Sequence, residues 1–450
     1  MKILSLPSLV SLAAALSLAA LLACHKPSEP SGPAPARADA ELRALALARP
    51  TGTGAVEDAI RKLEGQLEKS GGENADWWAT LAQEWVIKAR RSQDPGYYLS
   101  ADAAAQLALQ EAPRHPLASA LRVVVQVNQH RFAEARDQAK ALLRSQPENL
   151  VALSALADAQ LELGEIDGAA DTVQKMVDLK PDLTSYGRAA HLRWLHGDAE
   201  GAKRFYRSAI DAGGGARDPE PAAWMVVQVA LVFWNQGDAG GAEAGFQTAL
   251  KMLPGYPPAL VGQAKVELSR GRAPQAVALL EQAWAQGPLV ETGWLLGDAR
   301  AAAGDAKGAQ PSWDAAMALG ERSDHLSLGN LLAAKAWRIP EALEKLEGEL
   351  RSRPNQGVRD AYSWALYRAG RYQEAKAQSD QVMSAGTPEP KYFFHAGAIR
   401  AAAGDSTSGR ALLERALKMN PAFDLEGARE CRSLLAKLDA SASGPTAGAR

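Results

Sequence analysis

DAYSWALYRAGRYQEAKAQSDQVM (360–383) decides the fold, because its centre, GRYQEA (370–375), returns along most of the chain. The same glycine, followed five residues on by an alanine, stands in GEIDGA (164–169), GDAEGA (197–202), GDAGGA (237–242), GRAPQA (271–276) and GDAKGA (304–309). GYYLSA (96–101), HRFAEA (130–135), WRIPEA (337–342) and GDSTSG (404–409) extend the register, with successive spacings of 34, 34, 33, 40, 34, 33, 33, 33 and 34 residues. Proline follows most of the alanines about twelve residues later, at Pro113, Pro147, Pro181, Pro254, Pro288, Pro354 and Pro421.

Each position has a physical reason. The glycine ends one helix in the left-handed conformation that lets the chain reverse. The alanine (Ala135, Ala169, Ala202, Ala242, Ala276, Ala309, Ala342, Ala375) is small enough for two helices to approach closely. Proline ends the second helix because it has no backbone N–H to donate. Apolar residues recur between these marks at helical spacing, as in ALLERALKM (411–419) and AAWMVVQVALVFW (222–234). Alanine is abundant and strand-forming runs are scarce, so the chain reads as helical almost throughout.

Over roughly residues 76–421 this pattern resembles the tetratricopeptide repeat family, whose unit is a 34-residue helix–turn–helix. The resemblance implies an all-α, right-handed solenoid of about ten repeats. Departures are local: His130 and Trp337 stand at the turn glycine, Gly409 replaces the alanine, and DAGGGARDP (211–219) lengthens one interval as a loop. RRSQDPGYYLS (90–100) stretches the first turn. VEDAIRKLEGQLEKS (56–70) reads as a flanking amphipathic helix and DLEGARECRSLLAKLDA (424–440) as a terminal cap, since end repeats otherwise expose an apolar face. The solenoid with its flanks is thus expected over 54–440, with a polar, glycine-containing tail over 441–450.

The amino terminus reads differently. Residues 1–23 hold one charge, Lys2, and an apolar run, the layout of a signal peptide. Leu21-Leu22-Ala23-Cys24 resembles the lipobox of bacterial lipoproteins, which implies cleavage before Cys24 and acylation of that residue. HKPSEPSGPAPARADA follows, and proline, serine and alanine over 24–53 predict an extended tether. His25 is not the aspartate linked to inner-membrane retention, so the resemblance implies export and attachment to the outer membrane, facing the periplasm.

Charge and motifs narrow the function. A net charge of -2 offers no electrostatic footprint for nucleic acid. Two cysteines, Cys24 and Cys431, exclude a disulfide framework and thiolate zinc clusters. The sequence lacks a G-x-x-x-x-G-K-[ST] phosphate loop, an H-E-x-x-H and a G-x-S-x-G. His191 and His196 stand five apart, not the four that would share one helical face. No enzyme activity, cofactor or metal is therefore expected, and Cys431 reads as a small buried hydrophobe.

The family resemblance implies a concave groove lined by the first helix of each repeat. Counting back from each turn places His191, Trp194, Trp224, Trp234, Asn235, Lys265, Trp294, Asp298, Trp364, Tyr367 and Arg368 there. Large aromatics and arginine suit binding hot spots. A one-residue change of register turns the same aromatics into packing residues, and both readings stay open from the sequence. Paired Lys, Asn and Arg residues of a carboxylate clamp do not occur. The function expected is a non-catalytic scaffold or adaptor binding protein or peptide partners in the bacterial envelope, with the membrane reached through lipidated Cys24. Alternatives are an accessory lipoprotein of a secretion, motility or outer-membrane assembly machine, and a lipoprotein that binds peptidoglycan or other glycans.

Overall fold

The computed structural model describes residues 35–92, 94–213 and 218–442. The expected leader, Cys24 and the stretch to residue 34, residue 93, residues 214–217 of the insertion and the residues beyond 442 lie outside the described residues. Among those described, the chain forms twenty-three helices and no strand. Two open the array, α1 (Pro35–Ala46) and α2 (Ala55–Lys69). Five helical hairpins follow: α3 (Ala75–Ser92) with α4 (Tyr97–Glu111), α5 (Pro116–Asn128) with α6 (Phe132–Ser145), α7 (Leu150–Glu162) with α8 (Ile166–Leu179), α9 (Leu183–Leu195) with α10 (Ala199–Asp211), and α11 (Glu220–Asn235) with α12 (Ala239–Met252). Five more continue the solenoid: α13 (Pro257–Ser269) with α14 (Ala273–Gln286), α15 (Val290–Ala302) with α16 (Ala306–Ser323), α17 (His325–Lys335) with α18 (Ile339–Ser352), α19 (Gln356–Arg368) with α20 (Tyr372–Ser384), and α21 (Pro390–Ala402) with α22 (Ser406–Met419). The last helix is α23 (Gly427–Ala442). Each of the ten sequence motifs falls at the turn of one hairpin.

Local chemistry explains the turns. In the Gly-Asp repeats the aspartate caps the second helix: Asp198, Asp238, Asp305 and Asp405 accept from the backbone N–H three residues on, at 2.7, 2.8, 2.9 and 3.0 Å. The eight repeat alanines are buried, none more than 1% exposed. Gly409, which departs from the pattern, sits closer still: a Cβ there would lie 2.8 Å from the Ala401 Cβ and from the Gly397 carbonyl. Two turns lack glycine and carry strained residues instead. His130 has φ 60°, and Ala336 and Arg338, at 55° and 42°, flank Trp337. The left-handed residues of that turn are thus the neighbours of the residue aligned with glycine.

Part of the span 24–53, which composition predicts to be an extended tether, is helical. From Pro35 the chain is helical, and Ala46 is fully buried in a cluster with Trp78, Leu81 and Trp85. Trp85 Nε1 donates to the Ala46 carbonyl at 2.9 Å, and Lys88 Nζ donates to the Thr51 carbonyl at 2.7 Å and to Glu57 Oε1 at 2.6 Å. Leu42 and Ala46 stand four apart on one helical face, a short amphipathic signal that the neighbouring prolines obscure. That face covers tryptophans which an end repeat would otherwise expose.

Candidate functional site

The solenoid winds until its two edges meet. Asn355, between α18 and α19, donates to Glu162 Oε2 at 2.7 Å; Thr387 Oγ1 donates to the Leu195 carbonyl at 2.6 Å; Asn420 Nδ2 donates to the Trp234 carbonyl at 2.7 Å. These pairs are 193, 192 and 186 residues apart. The third, fourth and fifth hairpin turns therefore dock on successive links five and a half repeats further on. Turn glycines permit the approach. A Cβ on Gly164, Gly197 or Gly237 would lie 3.1, 2.9 or 2.5 Å from the carbonyl of Pro354, Gly386 or Met419. Asn235 adds a bond from its amide to Glu389 Oε2 at 2.7 Å.

This seam bounds a cavity of about 580 Å³ on the inner side. Leu231, Trp234 and Asn235 of α11 line it, with Lys265 and Leu268 of α13, Glu291, Trp294 and Asp298 of α15, and Ser327 and Asn330 of α17. Glu389 and Lys391, at the start of α21, face these helices, and Pro421 to Leu425 with Arg429 and Arg432 complete the wall. Every lining helix among these is the first of its hairpin or α23, so the inward face is built by one repeat position used again and again.

Five of the eleven residues placed in the groove by sequence meet here: Trp234, Asn235, Lys265, Trp294 and Asp298. The other six stand elsewhere. His191 is exposed, although burial of its surroundings holds its imidazole below the usual histidine range. Trp194 is half-buried against Tyr206 and Val232, and Trp224 is 43% exposed. Trp364 is 3% exposed and stacks on Tyr367 at 4.7 Å and on His395 at 4.1 Å, while the Arg368 guanidinium covers it at 4.4 Å. Trp364 is thus a packing residue, the alternative that the register left open. Register counting also missed Glu291, Glu389 and Lys391, which lie near helix starts, where no turn motif marks them. The wall from Pro421 to Arg432 was marked in sequence only as a repeat-ending proline and a terminal cap, with nothing to turn it inward.

Inside the cavity charges are paired and displaced from their ordinary titration. Lys265 Nζ meets Glu291 Oε1 at 2.8 Å; the lysine charge lowers the glutamate pKa and the glutamate charge raises that of the lysine. Asp298 is pushed up to about 6, chiefly by burial, even though Lys335 and Trp313 Nε1 donate to it. Burial raises Glu389 to about 7, opposed by the charges of Lys391 and Lys265. Trp294 Nε1 is buried without a hydrogen-bond partner. Two indoles, cations and acceptors around a concave space can hold a polypeptide segment by its main chain and its charged side chains. Among the described residues no group of three or more His, Cys, Asp or Glu side chains is arranged to hold a metal.

Residues 121–183 and 233–296 each match the tetratricopeptide repeat family. The chain is a tetratricopeptide repeat protein. Such repeats bind protein partners, and the second matched span contributes Trp234, Asn235, Lys265, Leu268, Glu291 and Trp294 to the cavity wall. No curated protein matches the chain. Among solved structures it is similar to PilW, described as a widely conserved type IV pilus biogenesis factor, with 16% identity, a TM-score of 0.38, and 48% of this chain and 98% of that chain covered. A tetratricopeptide repeat protein from Parabacteroides merdae gives 15% identity and a TM-score of 0.36 over 63% of this chain and 98% of that one. The MamA protein gives 18% and 0.29 over 36% and 87%.

Proposed function

We propose that this tetratricopeptide repeat protein is a non-catalytic scaffold of the bacterial envelope, which takes up protein segments along its inner face. The observation that carries this reading is the convergence of Trp234, Asn235, Lys265, Trp294 and Asp298 from three successive first helices on one cavity. Aromatic anchors beside a few charged groups in a concave space are what segment recognition needs. The test is photo-crosslinking in whole cells from a probe amino acid placed at Ser269, which lines the cavity, with and without Lys265→Glu and Trp294→Ala. Protein adducts lost in the double variant support the reading. Adducts unchanged by it sink the reading, and retention on cell-wall sacculi without protein adducts favours a glycan ligand instead.

The envelope location is carried by the LLAC sequence ending at Cys24. Acylation there supplies the multiple-chain attachment that stable anchoring requires. Metabolic labelling with a fatty acid should mark the wild-type chain and leave Cys24→Ala unlabelled. A Cys24→Ala chain that still carries label and sediments with membranes contradicts lipid anchoring at this residue.

A further inference from the structure

We infer that the inner face of α13 to α19 is a docking site for an acidic helical segment with an apolar anchor, occupied in cis by residues 421–432 of this same chain. The inference rests on the scaffold reading above and deepens it by giving the partner's chemistry.

The last link is longer than most. α18 ends at Ser352 and α19 begins at Gln356, but α22 ends at Met419 and α23 begins only at Gly427. The additional residues turn inward and line the cavity. Leu425 packs in a cluster with Val261, Leu268 and Leu295, on the first helices of two hairpins. Glu426 accepts from Lys335 Nζ at 2.7 Å, and Glu430 accepts from both terminal nitrogens of Arg368, at 2.8 and 2.7 Å. Leu425 thus lines the groove, and two acids four apart, the spacing of one helical face, reach cations of α17 and α19 beside it.

Both cations are held in place without the cis acids. Lys335 also donates to the buried Asp298 and lies 4.7 Å over the Trp313 ring. Arg368 stacks on Trp364 and donates to the Ala333 and Ala334 carbonyls at 3.1 and 3.3 Å. Departure of the cis segment therefore leaves two preorganised cations and an apolar slot, a template for Leu-Glu-x-x-x-Glu. The leaving contacts are the weak ones: the Glu426 and Glu430 side chains are 45% and 29% exposed, whereas Lys335 and Asp298 are 6% and 7%. Exchange is therefore easiest at the cis segment, not in the groove.

Cys431 reports on it. Its thiol is fully buried and points to the Leu413 carbonyl at 3.4 Å, so leaving the groove exposes it. In a full-length Cys24→Ala chain, Cys431 labelling by a maleimide is followed while a fluorescent peptide of residues 421–434, with Ser in place of Cys431, is titrated. Saturating peptide should accelerate labelling about tenfold or more, equivalent to about 1.4 kcal/mol of population shift. Glu426→Gln with Glu430→Gln in the chain should raise labelling without peptide and tighten peptide binding by a similar factor. The peptide carrying the same two glutamines should bind at least about tenfold more weakly. The inference is overturned if labelling stays slow at saturating peptide and in the double variant, or if the thiol becomes reactive and the peptide does not bind. Wild-type chain with peptide keeps the test open should the double variant misfold. Crosslinks lost on Lys265→Glu and Trp294→Ala, with an immobile cis segment, would leave the scaffold reading standing and this one refuted.

Discussion

Asn355 caps α19 with one side-chain atom and joins two distant repeats with the other: Oδ1 accepts from Val358 N at 2.9 Å while Nδ2 donates to Glu162 Oε2 at 2.7 Å, 193 residues away. The two roles separate in Asn355→Asp. Aspartate caps as well as asparagine, so α19 should keep its helicity. It cannot donate, and it sets a carboxylate against Glu162. The expected outcome is an unchanged circular dichroism spectrum with a larger radius of gyration by solution scattering. An unchanged radius would show that this seam is not held there.

Gly237 and Gly271 occupy the same repeat position with φ 80° and 73°, yet only Gly237 faces a neighbour. A Cβ on Gly237 would lie 2.5 Å from the Met419 carbonyl, and one on Gly271 meets nothing within 4 Å. Gly271→Ala should cost about 1–2 kcal/mol for the left-handed backbone alone. Gly237→Ala should cost clearly more, because the Met419 link must also move. Urea midpoints of the two variants measure the difference, and equal midpoints would exclude a tight seam.

Burial of Glu389 gives the seam a pH dependence. Its folded pKa, about 7, lies above the ordinary 4.5, so the folded state binds the proton more tightly than the unfolded chain does. The stabilisation is full below pH 4.5 and is lost as pH rises through about 7. Asp298, raised from 3.8 to about 6, acts in the same direction over a lower window. Glu389→Gln keeps an acceptor for Asn235 and removes the charge. Thermal melts at pH 5 and pH 7.5 should show the wild type losing more stability over that interval than the variant. Parallel losses would mean that Glu389 does not titrate there.

Trp364 and Trp224 separate packing from surface. With Trp364 3% exposed beneath Arg368, Trp364→Ala should cost about 3–5 kcal/mol. Trp224, 43% exposed, should change stability by no more than about 0.5 kcal/mol on the same substitution. Chemical denaturation checks both. A near-neutral Trp364→Ala would return that residue to the groove.

The repeat itself was legible in the sequence, because a glycine turn, a close-approach alanine and a helix-ending proline answer to forces within one hairpin. Those forces are local, so a period of 33 or 34 residues set ten hairpins and their turns, while the inward helix of each came from the family resemblance. The same count found Trp234, Asn235, Lys265, Trp294 and Asp298, since their direction follows from helical periodicity. It misplaced Trp364, because a residue at the edge of a helical face turns from groove to core within one position, and only its neighbours Tyr367 and His395 settle which. Where the chain meets itself was not written in any one repeat. Gly164, Gly197 and Gly237 look like Gly271 and Gly304 in sequence, and small rotations summed over five and a half repeats decide which of them face a carbonyl. The tertiary structure alone brought Asn355 to Glu162, Leu425 to the inner face and Glu426 to Lys335, because contacts so far apart depend on the accumulated curvature of the whole solenoid.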